Sequence, residues 1–293
     1  MNRSKKRNAC LSALLLIYTF PVWAQLTEGS GMFEFSAYPG LAGKTMRIFY
    51  HKPTGEVGDM PILFVMHGVL RNAETYRDNW VELSDTYKVL VIVPEFSNEL
   101  FPGSRSYNYG NLRSSSGTLN DEQHWSFSLL DPIFDDVVSR SGSKQQRYDL
   151  FGHSAGSQFV HRFFLFKRHS KANRVVAANA GGYTMLDLDV DFPYGLKGMG
   201  FDKERLSHVL GRELIIQLGE EDIDPAHRHL NVSAEAMRQG RHRLERGMTF
   251  FSSAKELAKR LNIDFKWNVR LVPGVAHENE KMAVDIAQYL YAH

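Results

Sequence analysis

Gly152-His153-Ser154-Ala155-Gly156 sets a serine between two glycines, directly after an apolar run that ends at Phe151. A serine hydroxyl is a poor nucleophile until a base takes its proton. The chain has 12 histidines. His277, in Val272-Pro273-Gly274-Val275-Ala276-His277-Glu278, is the candidate base because its loop joins the last strand to the last helix. The base in turn needs a carboxylate to hold its tautomer and stabilise the imidazolium. Leu218-Gly219-Glu220-Glu221-Asp222-Ile223-Asp224-Pro225 offers acids after another apolar run. Asp222, three residues past the glycine, is the first choice; Asp224 is the reserve, and the two glutamates read as solvated. Acyl transfer also needs N–H donors for a developing oxyanion. The Ala155 amide is one, and His67-Gly68-Val69-Leu70 supplies the other, with Val69 the expected donor. His67 itself reads as a structural hydrogen-bonder rather than a second base.

These residues are useful only if separate elements bring them together. Residues 61–67, 89–94, 148–151, 174–180, 213–218 and 265–272 read as strands, several of them unbroken apolar runs of the kind buried on both faces. Residues 32–35 and 44–50 read as short opening strands. Helical periodicity covers 73–87, 121–139, 157–167, 248–261 and 281–291. The alternation predicts an α/β fold, a doubly wound, mostly parallel sheet with helices on both faces. Reactive groups in such sheets gather at the carboxyl ends of the strands. Ser154, Asp222, His277 and the Gly68 loop each follow a different strand, and the chain order serine, aspartate, histidine is the one expected for this architecture. In that setting Gly152 and Gly156 make room for a sharp turn that holds the serine hydroxyl out of the surface.

The first 24 residues stand apart. Arg3, Lys5, Lys6 and Arg7 form a basic head, residues 9–20 are apolar, and Pro21-Val22-Trp23-Ala24 carries small residues at the usual cleavage positions. This is the layout of a secretory signal peptide cut after Ala24. It predicts export to the periplasm or the medium, with residues 25–293 forming one catalytic domain that carries a small insertion around 182–211. The run is too short for a firm membrane anchor. Cys10, the single cysteine, would leave with the signal, so disulfides, cysteine metal sites and cysteine nucleophiles are excluded from the mature chain. Removing four of the 35 lysines and arginines leaves 31 against 33 acids, so the net charge moves from +2 to −2. That removes the electrostatic argument for nucleic-acid binding.

On His67-Gly68, Gly152-His153-Ser154-Ala155-Gly156, Gly219-Glu220-Glu221-Asp222 and Pro273-Gly274-Val275-Ala276-His277, the chain resembles the α/β-hydrolases over residues 32–293. Within them it is similar to the secreted feruloyl esterase and polyhydroxybutyrate depolymerase-like group, although the disulfides common in secreted members are impossible here. The resemblance implies a serine esterase that needs no metal or cofactor and acts on a small or polymeric ester. A serine peptidase or polyester depolymerase with the same residues is the alternative, and a non-catalytic binding module of this fold is a second. The long stretches 98–124 and 182–211 are candidate pocket walls. Tyr109, Trp125 and Tyr183 are the candidate substrate contacts, though such aromatics equally serve to pack loops. The basic run Arg241-His242-Arg243-Leu244-Glu245-Arg246 could attract an anionic substrate, but a charged helix face is the preferred reading.

Overall fold

The computed structural model describes residues 25–292. The expected signal peptide, 1–24, lies outside the described residues. Eight strands form one sheet: β1 (Gly29–Phe35), β2 (Met46–Lys52), β3 (Ile62–Met66), β4 (Leu90–Pro94), β5 (Tyr148–His153), β6 (Ala172–Ala178), β7 (Leu214–Gly219) and β8 (Trp267–Val272). Their order across the sheet is β1-β2-β4-β3-β5-β6-β7-β8. β1 and β2, and β2 and β4, pair antiparallel; every other neighbouring pair is parallel. The helices are α1 (Ala73–Asp78), α2 (Val81–Tyr87), α3 (Gly103–Ser106), α4 (Leu130–Ser141), α5 (Ala155–Phe166), α6 (Lys203–Leu210), α7 (Ala234–Met237), α8 (Arg243–Leu261) and α9 (Asn279–Tyr291).

The central strands are apolar throughout because both of their faces are covered. On β3, Ile62, Phe64 and Met66 join one buried cluster, while Leu63 and Val65 join the cluster on the opposite face. Leu90 and Ile92 of β4 divide from Val91 and Val93 in the same way. This is the two-residue period of a strand read out as two cores.

Several boundaries differ from the sequence expectation for local reasons. The helix expected over 73–87 is broken into α1 and α2 at Asn79 and Trp80. The break turns Trp80 inward, fully buried, with its ring 5.5 Å edge-on from Phe151. The helix expected over 121–139 starts only at Leu130, after 3₁₀ turns at Glu122–His124 and Ser126–Leu129. There the Ser126 hydroxyl donates to the Ser106 carbonyl and Ser128 Oγ to the Glu122 carbonyl at 2.7 Å. Such side-chain bonds compete with a regular helix. α8 begins five residues earlier than expected, at Arg243, with the His242 ring capping the Glu245 amide. Among the described residues, no helix is long and apolar enough to cross a membrane.

Candidate active site

Ser154 stands between β5 and α5 with φ 60° and ψ −117°, a backbone conformation that L-residues rarely adopt and that must be held by its surroundings. Its glycine neighbours show how. A Cβ added to Gly156 would lie 1.9 Å from the Met66 carbonyl oxygen, and one on Gly152 would lie 2.4 Å from the Gly156 oxygen. β3, β5 and α5 therefore meet backbone to backbone around the serine.

The structure brings the three expected polar residues together. His277 Nε2 is 3.0 Å from Ser154 Oγ, and His277 Nδ1 is 2.7 Å from Asp222 Oδ2. A carboxylate only accepts, so Nδ1 carries the proton and Nε2 is free to accept from the serine hydroxyl. Asp224, the reserve, is not in this run; its Oδ1 accepts from the Ala226 amide in its own turn. Val69 and Ala155 also fall where expected, in the loop after β3 and at the first position of α5. Among the described residues neither backbone amide donates to a protein acceptor, so both can donate to a ligand. His67 is fully buried and its Nε2 accepts from the Phe96 amide at 3.0 Å, which leaves it no lone pair for a second base. Burial pushes its pKa down to about 3.

Two residues that the sequence reading missed fix the geometry. Asn179 follows β6 with φ 52°. Its Oδ1 accepts from the Gly219 amide at 2.9 Å, and its Nδ2 donates to the Ala276 carbonyl at 3.1 Å. One carboxamide thus ties the start of the Asp222 loop to the residue before His277. The second is Arg243. Its Nη1 donates to Asp222 Oδ1 at 3.2 Å and its Nη2 to His227 Nδ1 at 3.1 Å, with the guanidinium 1% exposed and the Asp222 side chain 2%. The His227 ring meets His277 edge-on at 5.2 Å. This corrects the reading of residues 241–246 as a charged outer face. Arg241 is exposed, but Arg243 and Arg246 are fully buried. Their donors end on Asp222 and His227 for one, and on the Gly240 and Gly181 carbonyls for the other. The signal was weak because a buried arginine on the first turn of a helix looks like an exposed one in sequence.

Burial lowers the His277 pKa most; the hydrogen bond to Asp222 opposes it and the nearby Arg243 cation adds to the lowering, with a net fall. That lowering favours the neutral imidazole, the form that can accept a proton. His153, below it at 4.5 Å between ring centres, is also kept neutral, chiefly by burial.

A cavity of about 160 Å³ opens over Ser154, lined by Gly68, Val69, Leu70, Asn72, Tyr76, His153, His229, His277 and Asn279. The aromatic candidates do not line it. Tyr183 is fully buried, stacked on Phe250 at 4.6 Å, with its backbone paired to the Gln239 carboxamide. Tyr109 packs on Phe192 and the Arg162 guanidinium, and Trp125 Nε1 donates to the Asn120 carbonyl. In each case packing of the long loops takes up the ring. Among the described residues, no group of three or more histidine, cysteine, aspartate or glutamate side chains is placed to hold a metal ion.

No family model matches the chain. It is similar to human gastric triacylglycerol lipase, 26% identical over 133 residues, a match covering 43% of this chain and 32% of the lipase; the chain thus spans about a third of that protein. Solved structures resemble it along nearly its whole length. Poly(aspartic acid) hydrolase-1 from Sphingomonas sp. KT-1 superposes with a TM-score of 0.87 at 40% identity, over 92% of this chain and 100% of that one. The poly(3-hydroxybutyrate) depolymerase LpqC from Bordetella parapertussis does so with a TM-score of 0.86 at 31% identity, over 91% and 90%. Likeness at that identity and coverage extends beyond the fold, and the chain is a serine hydrolase of the α/β-hydrolase superfamily, related to esterases and polymer-cleaving hydrolases.

Proposed function

We propose that Ser154, His277 and Asp222 are a catalytic triad that cleaves carboxylic esters through an acyl-enzyme. The observation that carries this reading is the run of hydrogen bonds Asp222–His277–Ser154, at 2.7 and 3.0 Å, ending on a serine held at positive φ. Ser154 Oγ attacks the carbonyl carbon while His277 Nε2 takes its proton. The carbonyl electron pair moves onto oxygen, where the Val69 and Ala155 amides receive it. The tetrahedral adduct collapses, the bond to the leaving oxygen breaks, and His277 returns the proton to the departing alcohol. Water, deprotonated by the same imidazole, then attacks the acyl-enzyme and releases the acid with Ser154 restored. Asp222 stays ionised and stabilises the imidazolium at each transfer. The enzyme acts after export, with residues 1–24 removed.

The 40% identity to a poly(aspartic acid) hydrolase favours a second reading, in which the scissile bond is an amide in a polymer backbone. The same residues serve, with an amine as leaving group. The test is turnover of p-nitrophenyl esters, hydroxycinnamoyl esters, oligo(3-hydroxybutyrate) and poly(aspartate) by wild type and Ser154→Ala, with fluorophosphonate labelling followed by mass spectrometry. Ser154→Ala is expected to lose at least about 10³-fold in kcat and all labelling. Undiminished turnover in that variant defeats the mechanism, and the preferred substrate decides between ester and amide. An N-terminus other than Gln25 on the exported protein would reject the cleavage assignment.

A further inference from the structure

Arg243 holds the Asp222 side chain by one hydrogen bond, so the hold is only as firm as the guanidinium's own place. The guanidinium is fully buried, and its Nε has no hydrogen-bond partner among the described residues. Two bonds remain, Nη1 to Asp222 Oδ1 at 3.2 Å and Nη2 to His227 Nδ1 at 3.1 Å. Without the second, Arg243 is hinged on the carboxylate it has to fix. His227 belongs to the loop after β7 that also carries Asp222, and Arg243 opens α8. The guanidinium therefore sits between two points of one loop. We propose that His227 is a positioning residue for the reaction: through Arg243 it keeps the Asp222 carboxylate, and with it His277, in line with Ser154. This rests on the assignment of Ser154, His277 and Asp222 as the catalytic triad and adds a residue that touches neither substrate nor nucleophile.

The chemistry of the imidazole suits the place. A guanidinium only donates, so His227 Nδ1 accepts with its lone pair and the ring proton lies on Nε2. The His229 backbone amide, 3.2 Å from the same Nδ1, is a second donor and further opposes a proton there. The charged and titratable groups facing His227 are Arg243 from α8, His277 from the loop after β8, and Asp222 and His229 from its own loop. Burial lowers the His227 pKa most, the charges of Arg243 and His277 add to the fall, and Asp222 opposes it. An acceptor without charge is what the network requires. A carboxylate at this position would neutralise the guanidinium and draw a proton onto His277, whose ring lies 5.2 Å away. An imidazolium would repel the guanidinium. Neutral His227 orients Arg243 and leaves its positive charge to Asp222.

The experiment is a double-mutant cycle on His227 and Arg243, read as kcat and KM on a p-nitrophenyl ester. His227→Leu removes the acceptor and is expected to lower kcat about tenfold with little change in KM, as for one lost hydrogen bond to a charged group. His227→Asn, whose Oδ1 stands near the place of Nδ1, is expected to recover most of that loss. In an Arg243→Lys background, where one ammonium cannot span both partners, His227→Leu is expected to cost a further factor below about two. His227→Asp brings an acceptor with a negative charge, which favours the protonated His277 and is expected to move the acid limb of kcat/KM to higher pH. Thermal melting shows that each variant folds, and His227→Ala replaces His227→Leu if the leucine does not. Wild-type kcat in the folded Leu or Ala variant, no recovery in His227→Asn, losses that multiply in the double variant, or an unmoved limb in His227→Asp overturns the proposal. Ser154→Ala separates the two failures: if it still turns over the ester, the triad assignment has failed instead.

Discussion

The two oxygens of Asp222 have different partners, His277 on one and Arg243 on the other. Arg243 thereby locks the carboxylate, but its positive charge also works against protonation of His277. In the proposed mechanism His277 must be neutral to accept the serine proton, so activity is expected above the His277 pKa and is expected to be lost as pH falls through it. That value lies below the ordinary 6.5, which sets the acid limb lower than a free imidazole would. Arg243→Met removes the cation, so the His277 pKa rises and the acid limb moves to higher pH. It also strands a buried carboxylate, and removing one partner of a buried pair costs about 3–5 kcal/mol of stability. Arg243→Lys keeps the charge but cannot span Asp222 and His227 with one ammonium. It is expected to hold the acid limb near its wild-type place while kcat drops about tenfold, in line with a lost charged hydrogen bond. Profiles of kcat/KM against pH on a p-nitrophenyl ester separate the two effects, and an unmoved limb in Arg243→Met contradicts the argument.

Elements hold this site by touching at glycines. Gly156→Ala drives a methyl group into the Met66 carbonyl, and relief requires α5 to part from β3. The expected loss is about 3 kcal/mol or more, or failure to fold. Gly142→Ala is the contrast: φ is +70° at the end of α4, with open space around the added carbon. Its cost is about 1–2 kcal/mol of backbone strain alone. Urea unfolding of the two variants checks the difference. The same contact explains why the site was legible in sequence. Phe151 ends a strand buried on both faces, so the glycines after it mark a tight turn, and Asp222 and His277 follow other strands of the same kind. Asn179 was missed because the strand read over 174–180 runs through it, whereas β6 ends at Ala178 and Asn179 turns out of it at φ 52°. Tyr183 misled for the opposite reason: a tyrosine in a long loop looks like a pocket wall until Phe250 and Gln239 are seen to enclose it.

Across the whole molecule the chemistry and the fastening lie at opposite ends of the sheet. Asp149, near the start of β5 and 4% exposed, accepts from Arg174 Nε at 3.0 Å, Asn173 Nδ2 at 3.2 Å and Tyr291 Oη at 2.9 Å. Arg174 in turn donates to the Leu290 carbonyl at 2.7 Å and lies over the Tyr291 ring. One carboxylate thus binds β5, β6 and the last turn of α9. The 13 residues of α9 reach about 20 Å at 1.5 Å per residue, and the far end carries Asn279 and follows His277. Tyr291→Phe removes one donor while Arg174 and Asn173 still satisfy Asp149, so the expected loss is about 1–2 kcal/mol. On a chain of this size that lowers Tm by about 2–6 °C. Because the serine and its base sit at the other end of the sheet, kcat and the pH profile on a p-nitrophenyl ester are expected to match wild type at 25 °C. If kcat falls along with Tm, α9 transmits strain from Asp149 to His277, and the two ends of the sheet are not independent.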